Sequence, residues 1–141
     1  MATVKHTVWL NCMLGETTGY SVVDIDTDNI DMSLLDQTDS GTITAATANY
    51  DTVDTPTVVA TGDLPAVSSI SGGVVTLSGA LTFTSVTGDQ AEYLTLWKNS
   101  GTPSTSPLLI TWDSATTGLP VTPNGGNIVV TFSSNILVTL A

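Results

Sequence analysis

The chain has 141 residues, of which 41% are hydrophobic and 11% are charged, and its net charge at pH 7 is -11. This length fits one β domain spanning residues 1–141, and the apolar content is too high for a disordered acidic tail. Lys5 and Lys98 are the only lysines, and there is no arginine. Because nucleic-acid phosphates and anionic membranes are bound through such cations, we expect neither nucleic acid nor membrane among the partners.

Cys12 is the only cysteine, which excludes an intrachain disulfide. No apolar run is long enough for a membrane-spanning helix, and the N-terminus lacks the basic and apolar regions of a secretory signal. We therefore expect the chain to fold in the cytoplasm of the cell that makes it.

Alternation of polar and apolar residues dominates the N-terminal half and predicts strands. Residues 3–10, 20–26 and 30–35 carry this pattern. The turn signal Asp28-Asn29 between the last two predicts that they form a hairpin.

At most one short helix is predicted, near residues 45–53, where residues 45–50 could form one helical turn. A strand is predicted at residues 55–61, where Pro56 favours an edge position because proline lacks a backbone N–H. Further strands are predicted at residues 74–77, 80–86, 92–98, 108–112, 128–132 and 136–140.

The predicted strand at residues 92–98 alternates cleanly, with Tyr93 and Trp97 on one face and Leu94 and Leu96 on the other. The last two strands are separated by a short connection and are predicted to form a hairpin. About eight to ten short strands with at most one short helix indicate an all-β fold, either an antiparallel β-sandwich or a barrel.

The residues that catalysis needs do not form a known motif. His6 is the single histidine, no Gly-x-Ser-x-Gly elbow is present, and no glycine-rich phosphate loop with a lysine occurs. One histidine and one cysteine cannot build a zinc cluster. Without arginine, the chain also lacks a bidentate group for substrate carboxylates or phosphates. We therefore expect a protein without enzyme activity and without a cofactor.

The spacing of Asp24, Asp26 and Asp28 is that of the first three ligands of a calcium loop. That loop also requires glycine at its sixth position and glutamate at its twelfth, where this chain has Asn29 and Leu35. In a strand, the same spacing places three carboxylates on one solvated face. We therefore expect no tight metal site and keep the three aspartates as weak calcium candidates.

The three tryptophans, Trp9, Trp97 and Trp112, lie in the most apolar predicted strands. They could belong to the core, to a contact between subunits, or to a flat platform for sugars. Their apolar neighbours favour burial in the core or an interface, and we keep all three as interface candidates.

Two motifs in the C-terminal half are GTPSTSPL at residues 101–108 and GLPVTPNGG at residues 118–126. They resemble motifs of a family of small structural proteins of tailed bacteriophages, which includes head decoration proteins. The resemblance extends, as a pattern, to residues 26–35 and 81–86. It implies a structural role in the capsid or tail of the virion. This chain departs from the family at Asp31, where the family has a lysine, and in its neutral last strands.

The same motifs also have a physical explanation, because proline, glycine and asparagine favour tight reversals of the chain. Loops on rigid sheets commonly make contacts as well. Pro103, Pro107 and Pro123 in these loops are therefore further interface candidates.

The leading hypothesis is a capsid decoration or cement protein that binds the lattice of the major capsid protein on the surface of a phage head. We expect it to attach as a homo-oligomer, with a homotrimer first, because symmetric repetition strengthens weak contacts. One alternative is a tail, neck or fibre component of the virion. A second is a carbohydrate-binding β-sandwich module, which exposed coplanar aromatic residues would favour.

Overall fold

The computed structural model describes residues 4–13, 22–36, 38, 43–53, 58–112 and 119–139. This part of the chain contains ten strands in three sheets, one α-helix and three 3-10 turns, so the all-β prediction is confirmed. The elements are β1 (Val4–Lys5), α1 (Thr7–Met13), β2 (Ile30–Leu35), β3 (Val58–Asp63), β4 (Val67–Ser71), β5 (Val74–Leu77), β6 (Leu81–Phe83), β7 (Tyr93–Lys98), β8 (Leu108–Trp112), β9 (Ile128–Val130) and β10 (Ile136–Thr139). The described strands are sandwich-like and do not close into a barrel.

The five-stranded sheet has the order β1-β8-β7-β2-β3 and is antiparallel throughout. Its central strands are buried on both faces, since nearly every position is apolar or small. The strand predicted at residues 55–61 corresponds to β3, and its predicted edge position is confirmed. Pro56 lies outside the described residues.

The two smaller sheets, with orders β10-β5-β4 and β6-β9, form a second layer over one face of the five-stranded sheet. Leu94 and Leu96 of β7 face this layer, as predicted. Each fully buried aliphatic or aromatic side chain contributes about 1.5–3 kcal/mol, so this core holds the two layers together. The second layer contributes Val75, Leu77, Leu81, Phe83, Ile128, Val130, Leu137 and Val138.

The opposite face of the five-stranded sheet is covered by residues 43–53. Tyr93 and Trp97 face this side, again as predicted, and the Tyr50 ring stacks on Trp97 with centroids 3.8 Å apart. The prediction of a helix at residues 45–53 is wrong, because only a 3-10 turn forms there, at Tyr50–Thr52. The backbone N–H of Tyr50 instead donates to the carbonyl of Ser106 in a neighbouring loop.

The predicted strand at residues 3–10 is also wrong over most of its length, because α1 begins at Thr7. The N–H of Leu10 donates to the carbonyl of His6, which is the bonding pattern of a helix. Trp9 is buried in the core between the layers. Its packing overrides the strand preference of the β-branched and aromatic residues around it.

The predicted hairpin of residues 20–26 with residues 30–35 is wrong, since β2 pairs with β3 and β7. The first two residues of the predicted strand lie outside the described part, and the rest leads into a turn. The Asp24 carboxylate accepts the N–H of Asp26 at 3.1 Å, and the Asp28 carboxylate accepts the N–H of Asp24 at 2.8 Å. These local bonds compete with a strand ladder.

The predicted hairpin of the last two strands is wrong as well. β9 pairs with β6, whereas β10 pairs with β5. Between them, Ser134 and Asn135 have φ of 54° and 57°, left-handed values that turn the chain away from the line of β9. The connection therefore carries the chain from one small sheet to the other.

Candidate functional site

The specific motif at residues 101–108 lies in the loop between β7 and β8, which we call the hydroxyl loop (residues 99–107). Its side chains bond mainly to one another. The Ser100 hydroxyl is 2.7 Å from that of Thr105 and 3.1 Å from that of Ser106, which donates to the carbonyl of Thr102 at 2.9 Å. Residues 100–105 are all exposed. The loop is thus a pre-formed, uncharged surface of serine, threonine and proline.

The hydroxyl loop is hydrogen-bonded to residues 43–53, the segment that covers the opposite face of the five-stranded sheet. The amide of Asn49 donates to the carbonyl of Ser104 at 2.8 Å, and Asn49 also forms a bridge with Pro107. Of the three candidate prolines, Pro103 is exposed, Pro123 is half-buried and Pro107 is buried. Only the first two offer surface to a partner, and their contact role stays a prediction.

The three candidate tryptophans are all buried within the chain. Trp9, Trp97 and Trp112 are 3%, 6% and 5% exposed, and the rings of Trp112 and Phe132 form a T-shaped pair. They therefore present almost no surface to a partner of this protomer. Among the described residues, the exposed large apolar side chains are all aliphatic: Met13, Val22, Ile70, Val129 and Ile136.

A buried polar network, which the sequence analysis missed, begins at His6. Its Nδ1 lies 2.8 Å from the carbonyl oxygen of Thr47 and its Nε2 lies 2.9 Å from the hydroxyl of Thr111, which is 2.9 Å from that of Thr95. Burial lowers the pKa of His6, although hydrogen bonding to the backbone of Thr47 and Thr44 opposes the shift. Both ring nitrogens are engaged and the ring is fully buried, so His6 joins β8 to the segment of residues 43–53 inside the protein.

A second polar group on the same sheet face is centred on the hydroxyl of Ser33. This oxygen lies 2.9 Å from the Tyr50 hydroxyl and 2.8 Å from that of Thr61, and it accepts the indole N–H of Trp97 at 3.0 Å. The sequence signal for both networks was a serine or threonine at an inward position of an apolar strand, since buried polar groups need partners.

The three calcium candidates lie in the acidic turn (residues 24–28). The pKa of Asp24 is lowered, mainly because the N–H of Asp26 donates to its carboxylate, and Asp28 forms an ion pair with Lys98 at 2.8 Å. In the described part of the chain, no group of three or more His, Cys, Asp or Glu is placed to hold a metal ion. The carboxylates are thus arranged to bond the backbone and a lysine.

Asp31 is a buried carboxylate beside the hydroxyl loop. Its Oδ2 accepts the side-chain N–H of Asn99 at 2.8 Å, whereas its Oδ1 is buried without a hydrogen-bond partner. Burial raises the pKa of Asp31, the charge of Asp63 on the adjacent strand raises it further, and the bond from Asn99 opposes the shift. The ionised form of Asp31 therefore lowers the free energy of unfolding relative to the protonated form.

Charge is unevenly distributed between the two layers. Every acidic residue that the structure describes lies within residues 24–63 or 89–92. Residues 64–88 and 114–141 contain no ionisable side chain, and these stretches supply all five strands of the second layer. The outer face of that layer is therefore neutral in a protein of net charge -11.

Comparison with protein-family models, curated proteins and solved structures finds no match to this chain. Within the described residues, no helix has the length and apolar character needed to cross a membrane.

Proposed function

We propose that this chain is a structural protein of a tailed-phage virion that decorates the head by binding the lattice of the major capsid protein. The observation that carries the proposal is the hydroxyl loop. It is pre-formed by its own hydrogen bonds, its residues 100–105 are exposed, and it overlaps the motif that resembles phage structural proteins. Attachment, and not chemistry, is the role that such a loop supports.

Pre-organisation is what makes the loop suited to binding. A flexible loop loses conformational entropy when it binds, whereas one already held by internal bonds loses less. The bonds from Asn49 and Tyr50 to the loop backbone fix it further on the sheet. Weak contacts of this kind gain strength when a symmetric oligomer repeats them on a lattice, for which a homotrimer at local three-fold positions is the first arrangement to test.

The runner-up is a tail, neck or fibre component, which could use the same loop. A carbohydrate-binding module is favoured less, because the tryptophans that would build a sugar platform are buried. A head protein should be retained on isolated capsids, whereas a tail, neck or fibre component should be retained on isolated tails.

The test is to mix the purified chain with undecorated capsids and to pellet them across a salt series. We expect co-pelleting that changes little or strengthens as salt rises, because contact through neutral groups is not screened whereas repulsion between chains is. No co-pelleting at any salt, together with retention on isolated tails, would exclude the head and favour the runner-up.

A matched pair of variants locates the contact. Ser104→Arg places a long cation on the exposed hydroxyl loop, and Thr82→Arg places the same group at an exposed position of β6 in the second layer. We expect Ser104→Arg to lose capsid binding and Thr82→Arg to retain it. Equal binding by both variants would show that the hydroxyl loop is not the contact.

A further inference from the structure

The second layer ends in an open strand edge at β4. This strand pairs only with β5 among the described strands, and residues 68–71 are all exposed. Ile70 lies directly opposite Val75, which is buried in the core. Directly opposite residues share a sheet face, so Ile70 is on the core side of the sheet, and yet it is 54% exposed. An apolar side chain that belongs to the interior is thus uncovered.

The β4 edge lacks most of the features that keep strand edges from pairing. Such edges are normally protected by lysine, proline or charged side chains, and β4 contains none of these. The one irregularity is a register shift between Val67 and Ser69, which leaves Ser69, Ile70 and Ser71 as a regular, unpaired edge. This edge has the properties of a pairing surface.

The charge distribution indicates which partner fits this edge. A partner of opposite charge would gain most from residues 24–63 and 89–92, where the described carboxylates lie. A partner of like charge is accepted only at a neutral surface, because like charges in contact repel. The second copy of this chain carries the same charge of -11. Asp63 lies four residues before β4, but residues 68–71 themselves carry no ionisable side chain, so two copies can meet at this part of the edge without placing like charges directly opposite one another.

We infer that two copies of the chain associate through their β4 strands, paired antiparallel across a two-fold axis at Ile70. An edge strand is self-complementary in this arrangement, as a two-fold contact requires. Ile70 of one copy then faces Ile70 of the other, and Ser69 faces Ser71. The pairing joins the two small sheets into one and covers both isoleucines with apolar surface.

This contact does not depend on binding to a capsid, and it forms in solution. Because it is two-fold, it is distinct from any three-fold arrangement on a particle. Failure of capsid binding would leave it untouched, and its own failure would leave the hydroxyl loop available for attachment.

The test is analytical ultracentrifugation of the full chain over a range of protein and salt concentrations. We expect a monomer–dimer equilibrium that shifts towards dimer as salt screens the repulsion between copies. Ile70→Lys places two like charges across the axis and should raise the dimer dissociation constant by about tenfold or more. Val129→Lys adds the same charge at a 49% exposed position of β9 and should leave the dissociation constant unchanged.

Hydrogen exchange of the wild-type chain gives a second readout that needs no variant. Amides of residues 67–71 should exchange more slowly as protein concentration rises, because pairing protects them. A monomer under all conditions would overturn the inference, as would a dimer that responds equally to both lysine variants. If Ile70→Lys does not fold by circular dichroism, the concentration dependence of exchange in β4 decides the question.

Discussion

The Nε2 atom of His6 and the hydroxyl oxygen of Thr111 lie 2.9 Å apart in the interior, while Nδ1 of the same ring lies 2.8 Å from the carbonyl oxygen of Thr47. Burial lowers the pKa of His6 and so favours the neutral ring. Since a carbonyl can only accept, Nδ1 of the neutral ring carries the proton and Nε2 accepts from Thr111. The Thr111 hydroxyl then accepts from Thr95. One directed chain of hydrogen bonds thus links β7 and β8 to the segment of residues 43–53 that covers this face of the sheet.

Removing the imidazole should destabilise the fold. His6→Ala leaves the carbonyl of Thr47 and the hydroxyl of Thr111 without their partner and opens a cavity, and we expect a loss of about 2–4 kcal/mol in the free energy of unfolding. Urea denaturation measures this loss. Thr7→Ala, at an exposed neighbouring position, should change stability by less than about 0.5 kcal/mol; a similar cost for both would contradict the role given to the ring.

Stability should fall as the pH decreases below about 6.5, the ordinary pKa of histidine. The pKa of His6 is lowered in the folded state, so in this range the unfolded chain binds a proton that the folded chain does not, and acid favours unfolding. The slope is at most about 1.4 kcal/mol per pH unit. Denaturation curves between neutral pH and pH 5 measure it, and His6→Gln should remove this component; an unchanged slope in that variant would assign it elsewhere.

Asp31→Asn should stabilise the protein at neutral pH. It removes a buried charge with an unpartnered oxygen and its repulsion by Asp63, while an amide oxygen can still accept the bond from Asn99. We expect the free energy of unfolding to rise, because the ionised carboxylate is desolvated in the folded state. Because the folded-state pKa of Asp31 is raised, the destabilisation that it causes disappears as the pH falls through that pKa towards 3.8.

The gain from Asp31→Asn should therefore shrink in acid, the opposite of the trend for His6. Asp63→Asn is the control, since it removes the repulsion but not the buried charge and should give a smaller gain. Thermal unfolding at neutral and acidic pH compares the three proteins. A loss of stability in Asp31→Asn at pH 7 would show that the ionised carboxylate is required.

At Gly72, in the turn between β4 and β5, substitution by asparagine and by valine should change the stability of the protein by different amounts. Gly72 and Gly73 have φ of 57° and 77°, as the central residues of a type I′ turn do. Nothing lies near the Gly72 Cα where a side chain would be added, so the backbone conformation alone decides the outcome. Gly72→Asn should be nearly neutral, whereas Gly72→Val should cost about 1–2 kcal/mol, because β-branched residues rarely adopt positive φ. Chemical denaturation distinguishes the two variants, and equal costs would exclude this turn geometry.

The strand pattern was predictable where side chains alternate between two chemical environments. In β7, Leu94 and Leu96 face one core while Tyr93 and Trp97 face the other, and period two alone gives that division. The segment around Asp24 was misassigned because its carboxylates bond the local backbone, which a hydrophobicity pattern does not register.

The candidate site was predictable only in part. The motif at residues 101–108 identified the exposed hydroxyl loop, but its internal bonding depends on φ, ψ and side-chain rotamers that the sequence does not state. The tryptophans were identified as core or interface, and the structure buries all three. The hydrogen-bond partners of His6 are distant in sequence: Thr47 is 41 positions away and Thr111 is 105 positions away. A single sequence does not indicate which distant residues pair in this way.

The two layers alternate along the chain. β1 to β3 belong to the five-stranded sheet, β4 to β6 to the second layer, β7 and β8 to the first again, and β9 and β10 to the second. A cut in the exposed stretch at residues 87–90 would therefore leave each fragment with strands of both layers and the complete set of neither layer. Neither fragment should fold alone, and unfolding of the intact chain should be a single all-or-none transition. Because the chain passes repeatedly between the two layers, neither layer can form without the other. Cooperative unfolding therefore follows from the order of the strands and does not depend on the strength of any single contact.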